Sequence, residues 1–125
     1  MIDIFYFSRS GNTQKFVSHI TNKAFNILDA VFSIQKGYIL FTPTYSGRGE
    51  GFIPSEVSQF LKVNNNSFFL RGVIGSGNRT FLNTFNRAAY LISQRYKVPL
   101  LYSYELAGNE KDVYEVKGLL QQWKN

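Results

Sequence analysis

Short, almost continuously apolar runs alternate along this chain with stretches of helical periodicity, and that alternation narrows the fold most. Asp3 to Phe7 shows little polar alternation, so it reads as a strand buried on both faces. A helix is expected from about Thr13 to Phe25, with Phe16, Val17, Ile20 and Ala24 inward. A short second strand is expected around Ala30 to Ile34. Lys36-Gly37 then turns into an emphatic third strand, Tyr38 to Thr42. Pro54 suits the first position of a helix whose inner face is Val57, Phe60 and Leu61. The turn cluster Asn64-Asn65-Asn66 leads through Phe68-Phe69-Leu70 to a fourth strand, Gly72-Val73-Ile74. A third helix spans about Asn83 to Tyr96, with Phe85, Ala88, Ala89 and Ile92 on one side. Val98 to Tyr104 is the fifth strand, and a last helix runs from about Lys111 to Lys124. Val113, Val116, Leu120 and Trp123 form its packing face.

Strands alternating with helices imply a parallel sheet covered on both faces, a doubly wound α/β fold of five strands. The economical strand order is 2-1-3-4-5, in which ligands sit beyond the carboxyl ends of the strands at the switch between strands one and three. At 125 residues the chain reads as one domain, residues 1–125, able to bury roughly two-thirds of its unfolded surface. Three loops rich in Gly, Ser, Thr and Asn fall at that edge.

The first loop, Ser8-Arg9-Ser10-Gly11-Asn12-Thr13, joins a buried strand to the start of a helix. Free amides and the positive helix end converge there, a ready anion site. It lacks the lysine of a P-loop and the spaced glycines of a dinucleotide fingerprint, which leaves a mononucleotide phosphate; an ordinary capped helix start is the alternative. The second loop, Thr42-Pro43-Thr44-Tyr45-Ser46-Gly47-Arg48-Gly49-Glu50-Gly51-Phe52, offers glycines for close backbone approach and Tyr45 for stacking on a flat ligand, or is a plain surface loop. The third, Gly75-Ser76-Gly77-Asn78-Arg79-Thr80-Phe81, adds a second aromatic, with Phe81 as core for the next helix being the alternative.

Composition excludes much else. There is no cysteine, so disulfides, thiolate metal sites and thiol chemistry are absent. The single histidine, His19, reads as solvated, and the scattered acids argue against a metal site. No catalytic side chain is singled out. No run suits a membrane span, the N-terminus does not read as a signal peptide, and a cytoplasmic protein is expected. The net charge of +6 is uneven: residues 1–104 carry eleven basic against four acidic residues, residues 105–125 three against four. The basic residues never form a run, so nucleic acid is not the expected partner and an acidic protein is preferred.

With these loops in view, the chain resembles the flavodoxin-like NrdI proteins of the class Ib ribonucleotide reductase system. The resemblance runs nearly end to end and rests on Phe7-Ser8-Arg9-Ser10-Gly11-Asn12-Thr13, Thr42-Pro43-Thr44-Tyr45, Gly72-Val73-Ile74-Gly75-Ser76-Gly77-Asn78-Arg79 and Val98-Pro99-Leu100-Leu101-Tyr102, continued by Glu105-Leu106-Ala107-Gly108. One departure is Thr80-Phe81-Leu82, where the family commonly has Asn, an aromatic and Gly. Another difference is from ordinary flavodoxins, which are acidic where this chain is basic; a dedicated partner follows. The resemblance implies a flavodoxin-like fold and FMN as cofactor. Ser8, Ser10, Gly11, Asn12 and Thr13 would hold the phosphate, with Arg9 also in the cofactor site. Thr42, Pro43, Thr44, Tyr45, Ser46, Gly47 and Gly49 would line the ring, with Gly75, Ser76, Gly77, Asn78, Arg79 and Phe81 on its other border. It further implies that reduced flavin and molecular oxygen give a superoxide-level oxidant for the dimanganese-tyrosyl radical cofactor of the reductase small subunit. A separate reductant must feed the flavin. Nearby Arg9, Arg48 and Arg79 are expected to favour the anionic reduced ring and so make the second one-electron potential less negative than in acidic flavodoxins. A general flavodoxin-like electron carrier is the alternative function.

Overall fold

The computed structural model of the chain describes residues 1–45, 52–78 and 86–123. Its elements alternate: β1 (Asp3–Tyr6), α1 (Asn12–Ile20), β2 (Phe25–Asn26), β3 (Tyr38–Pro43), α2 (Ser55–Lys62), β4 (Leu70–Gly77), α3 (Arg87–Tyr96), β5 (Leu100–Glu105) and α4 (Glu110–Gln121). A 3-10 segment, Val63–Phe69, bridges α2 and β4. All strand pairs are parallel and the order is β2-β1-β3-β4-β5, as the alternation of patterns predicts.

Each face of the sheet builds its own core. Tyr38 and Leu40 of β3 join Phe5, Phe7 and Val73 beneath α2 and α3, which contribute Val57, Phe60, Leu61, Ala88, Ala89 and Ile92. Ile39 and Phe41 point the other way, to Ile4, Ile74 and Tyr104 beneath α1 and α4, with Phe16, Val17, Ile20, Val116 and Leu120. The period of two in β3 thus feeds both layers from an unbroken apolar run, as a sheet covered on both faces requires. Val113 and Trp123 pack on this second layer, where the terminal-helix pattern placed them.

The second strand is not at 30–34. It is the two-residue Phe25–Asn26, pairing with Phe5 and Tyr6. α1 correspondingly stops at Ile20, short of Phe25, because Thr21 turns extended and its hydroxyl accepts the Lys23 amide at 3.1 Å. The expected strand stays irregular because its backbone is satisfied by a side chain. Buried Asn66 accepts from the Ile34 amide at 3.0 Å and donates to the Phe32 and Phe60 carbonyls at 3.1 and 3.0 Å. Asn64 and Asn65 take positive φ to present it, a backbone state that asparagine tolerates better than most residues.

The fourth strand is longer than expected. Gly75, Ser76 and Gly77, read from sequence as loop, continue β4: Gly75 pairs with Thr42 and Ser103, Ser76 with Pro43 and Tyr104, and Gly77 with Glu105 of β5. Two flanking strands impose the extended conformation that Gly and Ser do not favour by themselves. Within the described residues α3 begins at Arg87; 83–85 lie outside them.

α4 starts on a capping box, Asn109 accepting from the Asp112 amide and Asp112 from the Asn109 amide, each at 2.9 Å. Asp112 also accepts the Tyr102 hydroxyl at 2.7 Å. Burial, then this bond and the charges of Asp112 and Glu115, push the Tyr102 phenol up to about 12. The shift is upward from an unfolded value near 10, so its stabilising contribution is present below about pH 10 and lost as pH rises towards 12. Tyr102→Phe is expected to cost about 1 kcal/mol at pH 7 and to make the fall in stability between about pH 10 and 12 shallower. Urea unfolding at pH 7, 10 and 11 measures both; identical slopes for the two proteins would refute the assignment.

Candidate functional site

The carboxyl ends of β1, β3 and β4 bring the three loops to one edge. β1 continues past Tyr6 with the Phe7 amide on the Phe41 carbonyl at 3.1 Å, so the chain leaves the sheet only at Ser8. Gly11 then takes φ 96°, a left-handed value that spares the turn the strain a side chain would bring, and α1 begins at Asn12. The Ser8 hydroxyl accepts the Gln14 amide at 3.1 Å and the Ser10 hydroxyl accepts the Asn12 amide at 3.5 Å, which leaves both O–H protons free to donate. The Gly11 and Thr13 amides have no hydrogen-bond partner among the described residues. The first turn of α1 contains no acidic residue to neutralise the helix end. Free amides, free hydroxyl protons and an uncompensated helix dipole give this turn the donor set that an anion cradle needs.

Thr13 lies under the cradle, 1% exposed. Its hydroxyl and that of Ser76 stand beside the Tyr104 phenol of β5, whose ring stacks on Phe16 with centroids 3.9 Å apart. Burial pushes this phenol up to about 12 against the opposing pull of the two hydroxyls. Gly108, with φ 74°, makes room for the stack: a side chain there would meet the Phe16 ring at 2.5 Å. Tyr104 therefore stands between the floor of the cradle and β4, its buried hydroxyl without a hydrogen bond among the described residues. From sequence, Tyr104 stands only as the last residue of the expected fifth strand.

The second loop is only partly available to a ligand. Thr42 is fully buried and its hydroxyl donates to the Pro43 carbonyl at 2.9 Å. Pro43 ends β3 opposite Ser76. Thr44 accepts the Ala88 amide at 3.0 Å, capping the first turn of α3 from across the sheet. The Tyr45 amide bonds the Phe52 carbonyl at 3.3 Å and closes the base of the loop. The Tyr45 ring lies edge-on to Phe7, 6.5 Å between centroids, with its hydroxyl buried and without a hydrogen bond among the described residues. Burial raises its pKa, opposed by the charge and the backbone amide of Arg9.

Arg9 does not point into the cradle. Its guanidinium carbon sits 4.5 Å above the Tyr45 ring and its Nη2 donates to both Glu56 carboxylate oxygens, at 2.9 and 3.0 Å. Glu56 is a site neighbour that sequence reasoning missed, since nothing local connects residues 47 positions apart. In the third loop Gly75 and Ser76 are buried in β4, while Gly77 and Asn78 are half-buried at its end. The Gly77 carbonyl receives the Leu106 amide at 3.0 Å. Ser46, Gly47, Gly49, Arg79 and Phe81 lie outside the described residues, as does Arg48. No helix among the described residues is long and apolar enough to cross a membrane.

Comparison with known proteins agrees with the fold. The flavodoxin of Streptococcus pneumonia TIGR4 superposes with a TM-score of 0.67 over 97% of this chain and 95% of that one, at 19% identity. The NrdI protein of Wigglesworthia glossinidia brevipalpis is 44% identical over 97% of this chain and 89% of its own length. Those of Rhizobium leguminosarum bv. trifolii and Mesoplasma florum are 42% and 40% identical, over 96% and 98% of this chain and 93% and 85% of theirs. The family model described as NrdI flavodoxin-like matches residues 4–118, nearly the whole chain, and the chain belongs to that family.

Proposed function

We propose that this chain is a single FMN-binding domain serving as the flavoprotein of a class Ib ribonucleotide reductase in the cytoplasm. The observation that carries the reading is the anion cradle of an NrdI-family chain, placed at the switch point between β1 and β3. Its donor set suits a phosphomonoester. The Gly11 and Thr13 amides and the Ser8 and Ser10 hydroxyls can all donate, and no carboxylate opposes the charge in the first helical turn. Asn12 would add a side-chain amide. Thr44, Tyr45, Gly77 and Asn78 border the adjoining sheet edge where a flat ring would lie, with Ser46, Gly47, Gly49, Arg79 and Phe81 as further candidates.

The chemistry that FMN supplies when bound is electron transfer to molecular oxygen, giving a superoxide-level oxidant for the dimanganese-tyrosyl radical cofactor of the reductase small subunit. The protein's part is to bind the phosphate, orient the ring and set the charge around it. No side chain need act as a general acid or base, because the chemistry is the cofactor's. The basic body of the chain suits docking on an acidic partner surface.

The test is direct. Purified chain with FMN should form a 1:1 yellow complex, and the reduced complex mixed in air with manganese-loaded small subunit should produce a tyrosyl radical signal by electron paramagnetic resonance. FMN binding without any radical would leave a general electron carrier and overturn the oxidant role. No flavin binding would overturn the proposal altogether.

A further inference from the structure

The Arg9–Glu56 pair changes what charge the cradle presents. Arg9 is in the cradle loop, two residues before Gly11, and is the described cation expected to favour an anionic ring. Its charge is not free. Both Glu56 oxygens accept from one guanidinium nitrogen at 2.9 and 3.0 Å, and the guanidinium plane is steadied over Tyr45 at 4.5 Å. Glu56 is itself held by the Ser55 hydroxyl at 3.2 Å, and it stands in the first turn of α2, where a carboxylate is favoured. Burial would raise its pKa, but hydrogen bonds from its own backbone, from Arg9 and from Ser55, with the Arg9 charge, outweigh that and lower it, so it is ionised at neutral pH.

We infer that Glu56 is a positioning residue of the cofactor site that sets, through Arg9, how much positive charge the bound cofactor feels; this rests on the proposed binding of FMN. Two opposite charges at 2.9 Å act at a distance as a dipole, whose field decays faster than that of a lone guanidinium. The side chains are 55% and 33% exposed, so the pair contributes little to folding. Its effect falls on the neighbouring anion. Neutralising Glu56 unmasks Arg9, which strengthens binding of the phosphate and favours the reduced, more negative form of the cofactor over the oxidised one.

The experiment measures FMN affinity and potential for wild type, Glu56→Gln, Glu56→Asp, Arg9→Gln and the double variant Arg9→Gln/Glu56→Gln. Glu56→Gln keeps the shape and one acceptor oxygen while removing the charge. It is expected to bind FMN about threefold more tightly at about 20 mM salt, an advantage largely screened at about 0.5 M. It is also expected to have a less negative two-electron potential. Glu56→Asp should match wild type. The double variant removes both charges of the near-cancelling pair, so it should lie close to wild type and bind FMN more tightly than Arg9→Gln, which leaves a lone carboxylate. The melting temperature of the FMN-free proteins should be nearly unchanged. A purely structural tie predicts the reverse: weaker binding of both redox states alike and an unmoved potential. Glu56→Gln with unchanged or weaker affinity, or with an unchanged potential, overturns the inference while wild-type FMN binding preserves the proposed function. Absence of FMN binding by wild type instead overturns that function itself.

Discussion

Gly75→Ala is expected to destabilise the protein by about 3 kcal/mol, lowering its melting temperature by roughly 10 °C. Gly75 sits in β4, hydrogen-bonded between β3 and β5, so its backbone cannot move aside. A Cβ there meets Asn86 Oδ1 and the Cβ of Ala89, the first turn of α3 packed directly on the strand. Asn86 is itself fixed, with φ 59° and its side-chain amide bonded to the Ser103 hydroxyl. The methyl must therefore push α3 off the sheet or break the Asn86–Ser103 contact. Gly118→Ala is the control: in α4 the added methyl meets nothing within 4 Å, and a helical glycine replaced by alanine should gain about 0.5–1 kcal/mol. Thermal and urea unfolding of both variants checks the pair. Equal stability of Gly75→Ala and wild type would show that α3 does not rest on β4 as described.

Asn66→Ala should cost a similar amount, about 3 kcal/mol, by a different route. One buried side chain satisfies the Ile34 amide and the Phe32 and Phe60 carbonyls, while the backbone carbonyl of Asn66 accepts the Tyr38 hydroxyl at 2.9 Å. Alanine leaves the Ile34 amide and the Phe60 carbonyl without that partner; Phe32 retains a bond from Asn64 at 3.0 Å. Each buried group so orphaned costs about 1–3 kcal/mol. Asn66→Asp separates hydrogen bonding from size. It keeps an acceptor for Ile34 but turns carboxylate oxygen towards two carbonyls, so it should be at least as unstable as alanine at pH 7 and recover in part on acidification. Urea unfolding of both variants at pH 7 and pH 5 reads this out. Because residues 32–34 lie away from the cradle, FMN affinity of the folded variants should be retained.

The two substitutions also mark where local pattern stopped being informative. Gly75, Ser76 and Gly77 look like loop because Gly and Ser contribute little strand propensity. They are strand because β3 and β5 offer ladder partners on both sides of Gly75 and Ser76, and β5 continues the ladder to Gly77. The apolar residues around 30–34 look like strand, yet Asn66 captures their backbone and the two-residue β2 takes the edge position instead. Thr42 and Thr13 look like ligand hydroxyls, but both are buried, one bonded to the next carbonyl and one beneath the cradle beside Tyr104.

The class of fold, the strand order and the edge at which the loops gather were all legible in the residue pattern. Those depend on local signals: unbroken apolar runs, helical spacing, and turn residues between them. The cradle was legible for the same reason, since Ser8 to Thr13 is one contiguous turn whose amides and helix start are local properties. What each side chain near it is engaged with depends instead on long-range packing. Arg9 pairs with Glu56, Thr44 caps α3, and Tyr104 meets Thr13 and Ser76, because these contacts join residues far apart in the chain and leave no periodic trace. Position along the chain says which atoms are present at the site. Packing decides which of them still have a proton or a charge to offer.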